Sequence, residues 1–331
     1  MLGLLVILAA TLVVFQLPLL PSLQLLAQGA FGDKFAISRT LVKTTPLLLV
    51  GLGMAVAWRA RMYNIGGEGQ YVVGALTGAT LAKLMPGLVA TPFVGSMVVL
   101  LACTLGGALF AGLAGWLSVR RGVDVVIGTI LLNFIALQFL SYMVSGPLKE
   151  ASGQLPLTDP LPAAAMLPRF DRQMDVHLGI VIALICAVGL AVFLFRTAAG
   201  FELRVVGDSP TAARANRIGS ASIQIRAMLL SGAFCGLAGG VEYAGIAERL
   251  GSGFAQQWGF LGIPVALLGG LHPFGVILSA TYFGALFAGS ENLARFSTAG
   301  TTLIYVIQAA AVLGLVGMRT FLNRRPSQEA E

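Results

Sequence analysis

The sequence predicts an all-α, polytopic integral membrane protein with about ten transmembrane helices. Composition is the first reason: 57% of the 331 residues are hydrophobic and 11% are charged, with a mean hydropathy of +0.87. No ordinary soluble domain has that balance. The second reason is that apolar runs of helical length recur from end to end, where an outer-membrane barrel would show short alternating strands. Lipid offers no hydrogen-bond partner to open backbone, so such runs cross as helices.

In order, the expected spans are 2–20, 41–57, 66–85, 93–118, 123–145, 177–195, 224–246, 258–271, 274–290 and 300–318. The first lacks the basic n-region and small-residue cleavage site of a secretion signal, so it reads as a spanning helix. The third opens on "NIGGEGQ", and the fourth carries the row Gly106, Gly107, Ala111, Gly112 and Gly115, suited to close helix contact. Asn133 lies in the fifth, and "GLAGG" precedes Glu242 in the seventh. Pro264 falls inside the eighth and is expected to kink or break it. An even number of spans puts both termini on one side, and the basic tail makes that side cytoplasmic. The same face then receives Arg59, Arg61, Arg120, Arg121 and the arginines between 196 and 226. The whole chain, 1–331, reads as one transmembrane domain with an outer loop at 146–176 and a cytoplasmic loop at 196–226.

The net charge of +7 does not indicate nucleic acid, because the basic residues sit at the ends of apolar runs and form no stripe. Cys103, Cys186 and Cys235 lie inside apolar runs without CxxC spacing and read as packing residues. His177 and His272 lack metal-ligand spacing, no hydrolytic set clusters, and GxxxxGK[ST] is absent. The expectation is a chain that is not an enzyme, holds no metal or cofactor and does not bind ATP in the P-loop manner.

Glycines 66, 67 and 69 disfavour a regular helix, and opened backbone at membrane depth is tolerated only against protein or an aqueous cavity. Asn64, Glu68 and Gln70 can satisfy the opened donors or meet a hydroxylated solute, and Asn133 and Phe260 complete the candidate pathway set. Glu68 is weighted towards holding the broken helix. Asn133 reads first as interhelical glue, and Glu242 as structure. Gly66 to Gly74 and Gly262 to Gly270 share a spacing, the relation expected of inverted repeats with broken helices.

The outer loop, rich in proline, reads first as a solvated connector and second as a docking surface for a soluble partner. In the inner loop Ser209 is an N-cap, Pro210 takes N1 and Gly219 supplies a left-handed stop, enclosing about two helical turns. Thr211, Ala212, Ala213 and Ala215 give it a small, approachable side, while Arg214 and Arg217, three apart, share a face. Such a helix suits docking into a groove of another protein, or rests on anionic lipid.

"GFELRVVGDSPTAARANRIG" followed by "LSGAFCGLAGGVEYAG" resembles the membrane permeases of bacterial ABC importers of the branched-chain amino acid and simple-sugar class. Within it, "MYNIGGEGQYVVGAL", "VIGTILLNFIAL", "GPLKEASGQLPLT" and "GFLGIPVALLGGLHPFGVILSATYFGALFAGS" look like the nucleoside-type permeases. The resemblance runs from about residue 40 onward, with its motifs in the expected order. It implies a type II-like importer permease in the bacterial inner membrane, embedded in the lipid bilayer. The implied partners are a cytoplasmic ABC ATPase that holds ATP and Mg, a second permease subunit, and an extracytoplasmic lipoprotein that captures a nucleoside. It further implies that Gly207, Asp208, Ser209, Pro210, Ala212, Ala213, Arg214, Arg217 and Gly219 form the segment coupled to the ATPase. Simple sugars or branched-chain amino acids are the alternative solutes. The rival mechanism is an ion-coupled secondary transporter with Glu68 and Glu242 as proton carriers, opposed by the scarcity of other buried ionisable groups.

Overall fold

The computed structural model describes residues 18–171 and 173–296, with positions 306, 307, 309, 310, 313 and 314 beyond them. The expected spans 2–20 and 300–318 therefore lie almost wholly outside the described residues. Apart from a single α-helical turn at Pro86–Val89, the α-helices among the described residues are α1 (Leu19–Phe31), α2 (Lys34–Arg59), α3 (Gly67–Leu84), α4 (Val94–Arg121), α5 (Val125–Ser145), α6 (Gly179–Arg196), α7 (Ala198–Asp208), α8 (Pro210–Ala215), α9 (Ser220–Glu242), α10 (Trp258–Leu268) and α11 (Pro273–Phe296). No named strand occurs among the described residues, where only two isolated bridges form.

Among the described residues, six helices are long and apolar enough to cross a membrane: α2, α4, α5, α6, α11, and α9 with its extension to Ala247. That extension, Tyr243–Ala247, is a π-helical segment. Of the other expected spans, one forms a helix close to its expected bounds and one comes out short. The run at 66–85 makes α3, 18 residues long and nearly all buried over its first half. The run at 258–271 makes α10, 11 residues, where a spanning helix needs about 20. Pro264 does not break α10, which continues to Leu268. What limits α10 is its ends: left-handed Gln257 (φ 65°) before it, and Gly270 (φ 63°) and Leu271 (φ 56°) after it. The equal glycine spacing also maps to unlike places, since Gly66 precedes α3 whereas Gly262 lies inside α10.

The chain divides into two compact units, Met1–Lys43 with Thr281–Glu331, and Thr44–Ala280. In the first, Asn292 Nδ2 donates to Leu25 O at 2.9 Å and Thr40 Oγ1 to Ala30 O at 2.9 Å. Lys43 and Glu291 form an ion pair at 2.5 Å. Both residues lie on helices long enough to span.

In the second unit α2 is buried all round, with Leu47 to Val50 fully inaccessible, as expected of a helix without a polar face. The closest packing joins α4 to α9. A Cβ on Gly107 would overlap Gly232 O and Gly236 Cα, and one on Gly236 would overlap Cys103 O and Gly107 Cα. Gly106 sits against Thr77, Gly112 against Leu229 and Gly115 against Met228, so the small-residue row does make close contacts. Van der Waals packing between backbones is what holds helices together where lipid removes the hydrophobic drive.

The proline-rich loop 146–176 is fastened to the protein although much of it is exposed. Its backbone is tied to the segment that follows α9: Thr158 N donates to Leu250 O, Leu161 N to Glu248 O and Leu167 N to Ala244 O, all at 2.8–2.9 Å. Glu150 anchors the near end, accepting from the Ser152 hydroxyl (2.6 Å), Leu155 N (3.0 Å) and Arg249 Nη1 (2.8 Å). The Ser152 hydroxyl, with these other donors, holds the Glu150 carboxyl below its usual range. Its contribution is therefore full above the ordinary carboxylate pKa and lost as pH falls through the lowered one.

Two outcomes follow. Gly236→Val should cost about 3 kcal/mol or more through overpacking against backbone, read as loss of monodisperse protein after detergent extraction; a normal yield and melting temperature would contradict this packing. Glu150→Gln should speed proteolytic cleavage within 151–156 at neutral pH, approaching the rate of acidified wild type, and an unchanged digestion pattern would show that the carboxylate is not the anchor.

Candidate functional site

The helical ladder of α2 ends at Arg59, left-handed Arg61 (φ 57°) turns the chain, and residues 62–66 have no regular structure. Backbone exposed in this way needs partners, and side chains of α2, α5 and the segment itself supply them. Trp58 Nε1 donates to Asn64 O at 3.1 Å, and Thr129 Oγ1 accepts from Ile65 N at 3.2 Å. Asn133 serves twice, donating through Nδ2 to Ile65 O (2.9 Å) and accepting through Oδ1 from Gly69 N (2.8 Å). Asn64 Oδ1 accepts from Gly66 N at 2.8 Å, while Asn64 and Gln70 pair amide to amide at 3.0 Å in both directions. Asn64 Nδ2 also reaches Ser231 Oγ on α9 at 3.0 Å.

Glu68 lies in the first turn of α3 and is 2% exposed. Its Oε1 accepts from Gln257 N at 3.0 Å and its Oε2 from Gly259 N at 2.7 Å. These amides are at the N-terminus of α10, and a Cβ on Gly259 would overlap Glu68 N and Cα. The N-termini of α3 and α10 thus meet with one carboxylate between them. Helix N-termini carry partial positive charge and unsatisfied N–H groups, so a single anion answers both.

Beside this junction is a cavity of about 550 Å³ lined by Glu68, Phe134, Gln138, Ser141, Gln257 and Phe260, among others. Of the five candidate pathway residues, Glu68 and Phe260 line it. Asn64, Gln70 and Asn133 are buried, Asn64 and Asn133 committed to backbone and Gln70 to the Asn64 amide. Thr129, Ser231, Gln138 and Gln257 were missed. Thr129 and Gln138 could have been found, because with Asn133 they place polar groups about every turn along an otherwise apolar helix.

On the other side of unit 2, Thr197 caps α7 through Gly200 N (3.1 Å) and Ser209 caps α8 through Ala212 N (3.2 Å), with Pro210 at N1. Two sequence expectations are corrected here. The left-handed stop is Arg217 (φ 56°), not Gly219, which instead precedes α9 with negative φ. Arg217 therefore lies beyond α8, which ends at Ala215, and shares no helical face with Arg214. Ala213 is fully buried, so the approachable surface consists of Thr211, Ala212, Arg214, Ala215 and Asn216. Gly207 and Asp208 end α7, where Arg61 Nε donates to Gly207 O at 2.6 Å. A guanidinium at a helix C-terminus meets the negative end of the dipole.

Spanning helices, a half-length helix meeting another N-terminus to N-terminus beside a cavity, and a pair of short capped helices between two spans define a membrane-embedded transport subunit. A family model described as "Branched-chain amino acid transport system / permease component" matches residues 36–317, and the chain belongs to that family. It is the permease component of an ABC transporter. A glucose ABC transporter permease of Haloferax volcanii is 32% identical over 88% of this chain and 79% of its own. A guanosine ABC transporter permease of Bacillus subtilis is 32% identical over 86% and 82%, and a nucleoside ABC transporter permease of Lactococcus lactis is 30% identical over 80% and 75%.

If the carboxylate works by accepting two amide hydrogens, Glu68→Gln keeps one acceptor and Glu68→Leu none. Each orphaned buried N–H costs about 1–3 kcal/mol, so the leucine variant should lose more thermal stability and more uptake than the glutamine variant. Equal losses in both would assign the role to charge.

Proposed function

We propose that this permease moves nucleosides across the bacterial inner membrane along the cavity beside Glu68. The observation that carries the reading is its lining, in which Phe134 and Phe260 border the same space as Gln138, Gln257 and Ser141. A nucleoside has a flat base for the rings and a hydroxylated sugar for the hydrogen-bonding groups. Two of the relatives, named for guanosine and for nucleosides, support the same solute class. The second reading is a simple sugar, favoured by the relative named for glucose. Competition for uptake of labelled nucleoside by a panel of nucleosides, bases and sugars decides between them. Displacement by sugars alone would overturn the nucleoside reading.

The power source is a separate cytoplasmic ATPase that holds ATP and Mg, since this chain has no phosphate-cradling loop. The ATPase docks on the exposed side of α8, and movement there passes through the Arg61–Gly207 contact to the end of α2. Both termini face the cytoplasm in this arrangement. A second permease subunit closes the open side of the cavity, where Phe134 is 62% exposed. An extracytoplasmic lipoprotein delivers the solute to the strapped outer loop, and the capture of solute by that lipoprotein supplies most of the selectivity.

Because Ala213 is buried, a substitution there tests folding rather than docking. The informative variant is Ala212→Glu on the exposed side. It should reduce ATP-driven uptake about tenfold or more, as a buried interface charge costs a few kcal/mol, with the membrane level of the protein unchanged. Normal uptake by this variant would refute the coupling assignment.

A further inference from the structure

A second cavity, of about 380 Å³, lies where α2, α7 and the turn before α11 converge. It is lined by Trp58, Arg59, Arg61, Tyr63, Arg204 and Asp208, with backbone from Gly207, Gly270 and Leu271. The balance of charge is three guanidinium groups to one carboxylate. Among the described residues none of these arginines forms an ion pair. Arg59 spends Nε on Leu271 O at 2.7 Å, and Arg61 spends Nε on Gly207 O and Nη2 on Asp208 O. Arg204 has no such commitment: its guanidinium lies 5.2 Å from the Phe195 ring and 5.9 Å from Phe201, and its Nε is buried without a hydrogen-bond partner. Arg59 lies 5.5 Å from the same Phe195 ring, and its charge and that of Arg204 act on each other. Holding two cations together with buried, unspent donors is unfavourable unless an anion is shared between them.

We propose that this cavity is a binding site for a phosphoryl group. Guanidinium forks match phosphate oxygens in geometry and charge, which a carboxylate-sized pocket with one donor would not. Trp58 and Tyr63, packed edge to face at 5.4 Å, leave an aromatic wall for the organic part of a phosphate ester. The phosphoryl group has two sources: a soluble phosphate or phosphomonoester, or the headgroup of an anionic phospholipid. Arg59 ends a spanning helix, which puts the cavity at the depth where headgroups lie. Occupancy would neutralise the cluster that fastens α7 to α2, so the site would stiffen the base of the segment assigned to the ATPase.

The test uses the purified permease. Equilibrium dialysis with radiolabelled inorganic phosphate, in uncharged detergent, reads the soluble source. Native mass spectrometry after extraction from phosphatidylcholine nanodiscs with or without phosphatidylglycerol reads the lipid source. Saturable retention of either probe, weakened roughly tenfold or more in Arg204→Gln as loss of a charge-assisted hydrogen bond implies, and kept in Arg120→Gln, supports the site; the probe retained identifies its source. Asp208→Asn, a surface change that removes the one lining carboxylate, should tighten binding several-fold, and it keeps the test open if Arg204→Gln fails to fold. Absence of saturable binding with both probes, or binding unaltered in both Arg204→Gln and Asp208→Asn, overturns the proposal.

Discussion

The architecture depends on how backbone amides are satisfied where helices stop inside a bilayer. At the N-terminus of α10 the amides of Gln257 and Gly259 have one acceptor group, the Glu68 carboxylate. Placing an acid at membrane depth costs about 3 kcal/mol on insertion scales, whereas two orphaned amides cost about 1–3 kcal/mol each. The two penalties are of the same size, and together in one contact they cancel. That balance lets α10 begin in mid-protein after a left-handed non-glycine residue, and it leaves space beside the junction for a cavity.

The same accounting explains the polar residues around it. Asn133, Thr129, Ser231 and Trp58 come from α5, α9 and α2, yet all of them converge on residues 64–69. An irregular segment of a few residues thus ties together helices distant in sequence. The small residues of α4 and α9 do the complementary task, bringing backbones close enough for dispersion to act. Polar side chains fix where the chain may open, and glycines fix where helices cross.

Much of this was legible in the sequence, unevenly. Composition and apolar runs located the helices because lipid punishes every alternative to them. "GGEGQ" announced opened backbone, and Ser209–Pro210 announced a helix start, since both depend on local stereochemistry. What escaped depended on partners remote in sequence. Nothing near Gln257 says that its amide meets a carboxylate 189 positions away. Arg61 looked like a topology marker, and only its left-handed backbone turns it onto the end of α7. Ala213 looked approachable because a small residue on a short helix reads the same whether it faces outward or in. Propensity points to Gly219 as the stop, but the turn closes two residues earlier, at Arg217.

The geometry of Glu68 also bears on the rival mechanism, in which it carries protons. A carrier must present a lone pair to an arriving proton and release it along a path of donors and acceptors. Both Glu68 oxygens already accept from backbone amides, and the residue is 2% exposed. Protonation leaves a lone pair on each oxygen but removes the charge that strengthens both amide bonds, so it weakens the start of α10 in the act of loading the carrier. A group whose neutral form loosens the helix junction it holds serves that junction better than it serves as a carrier. This makes Glu68 a fixed part of the cavity wall, beside Gln138, Ser141, Phe134 and Phe260.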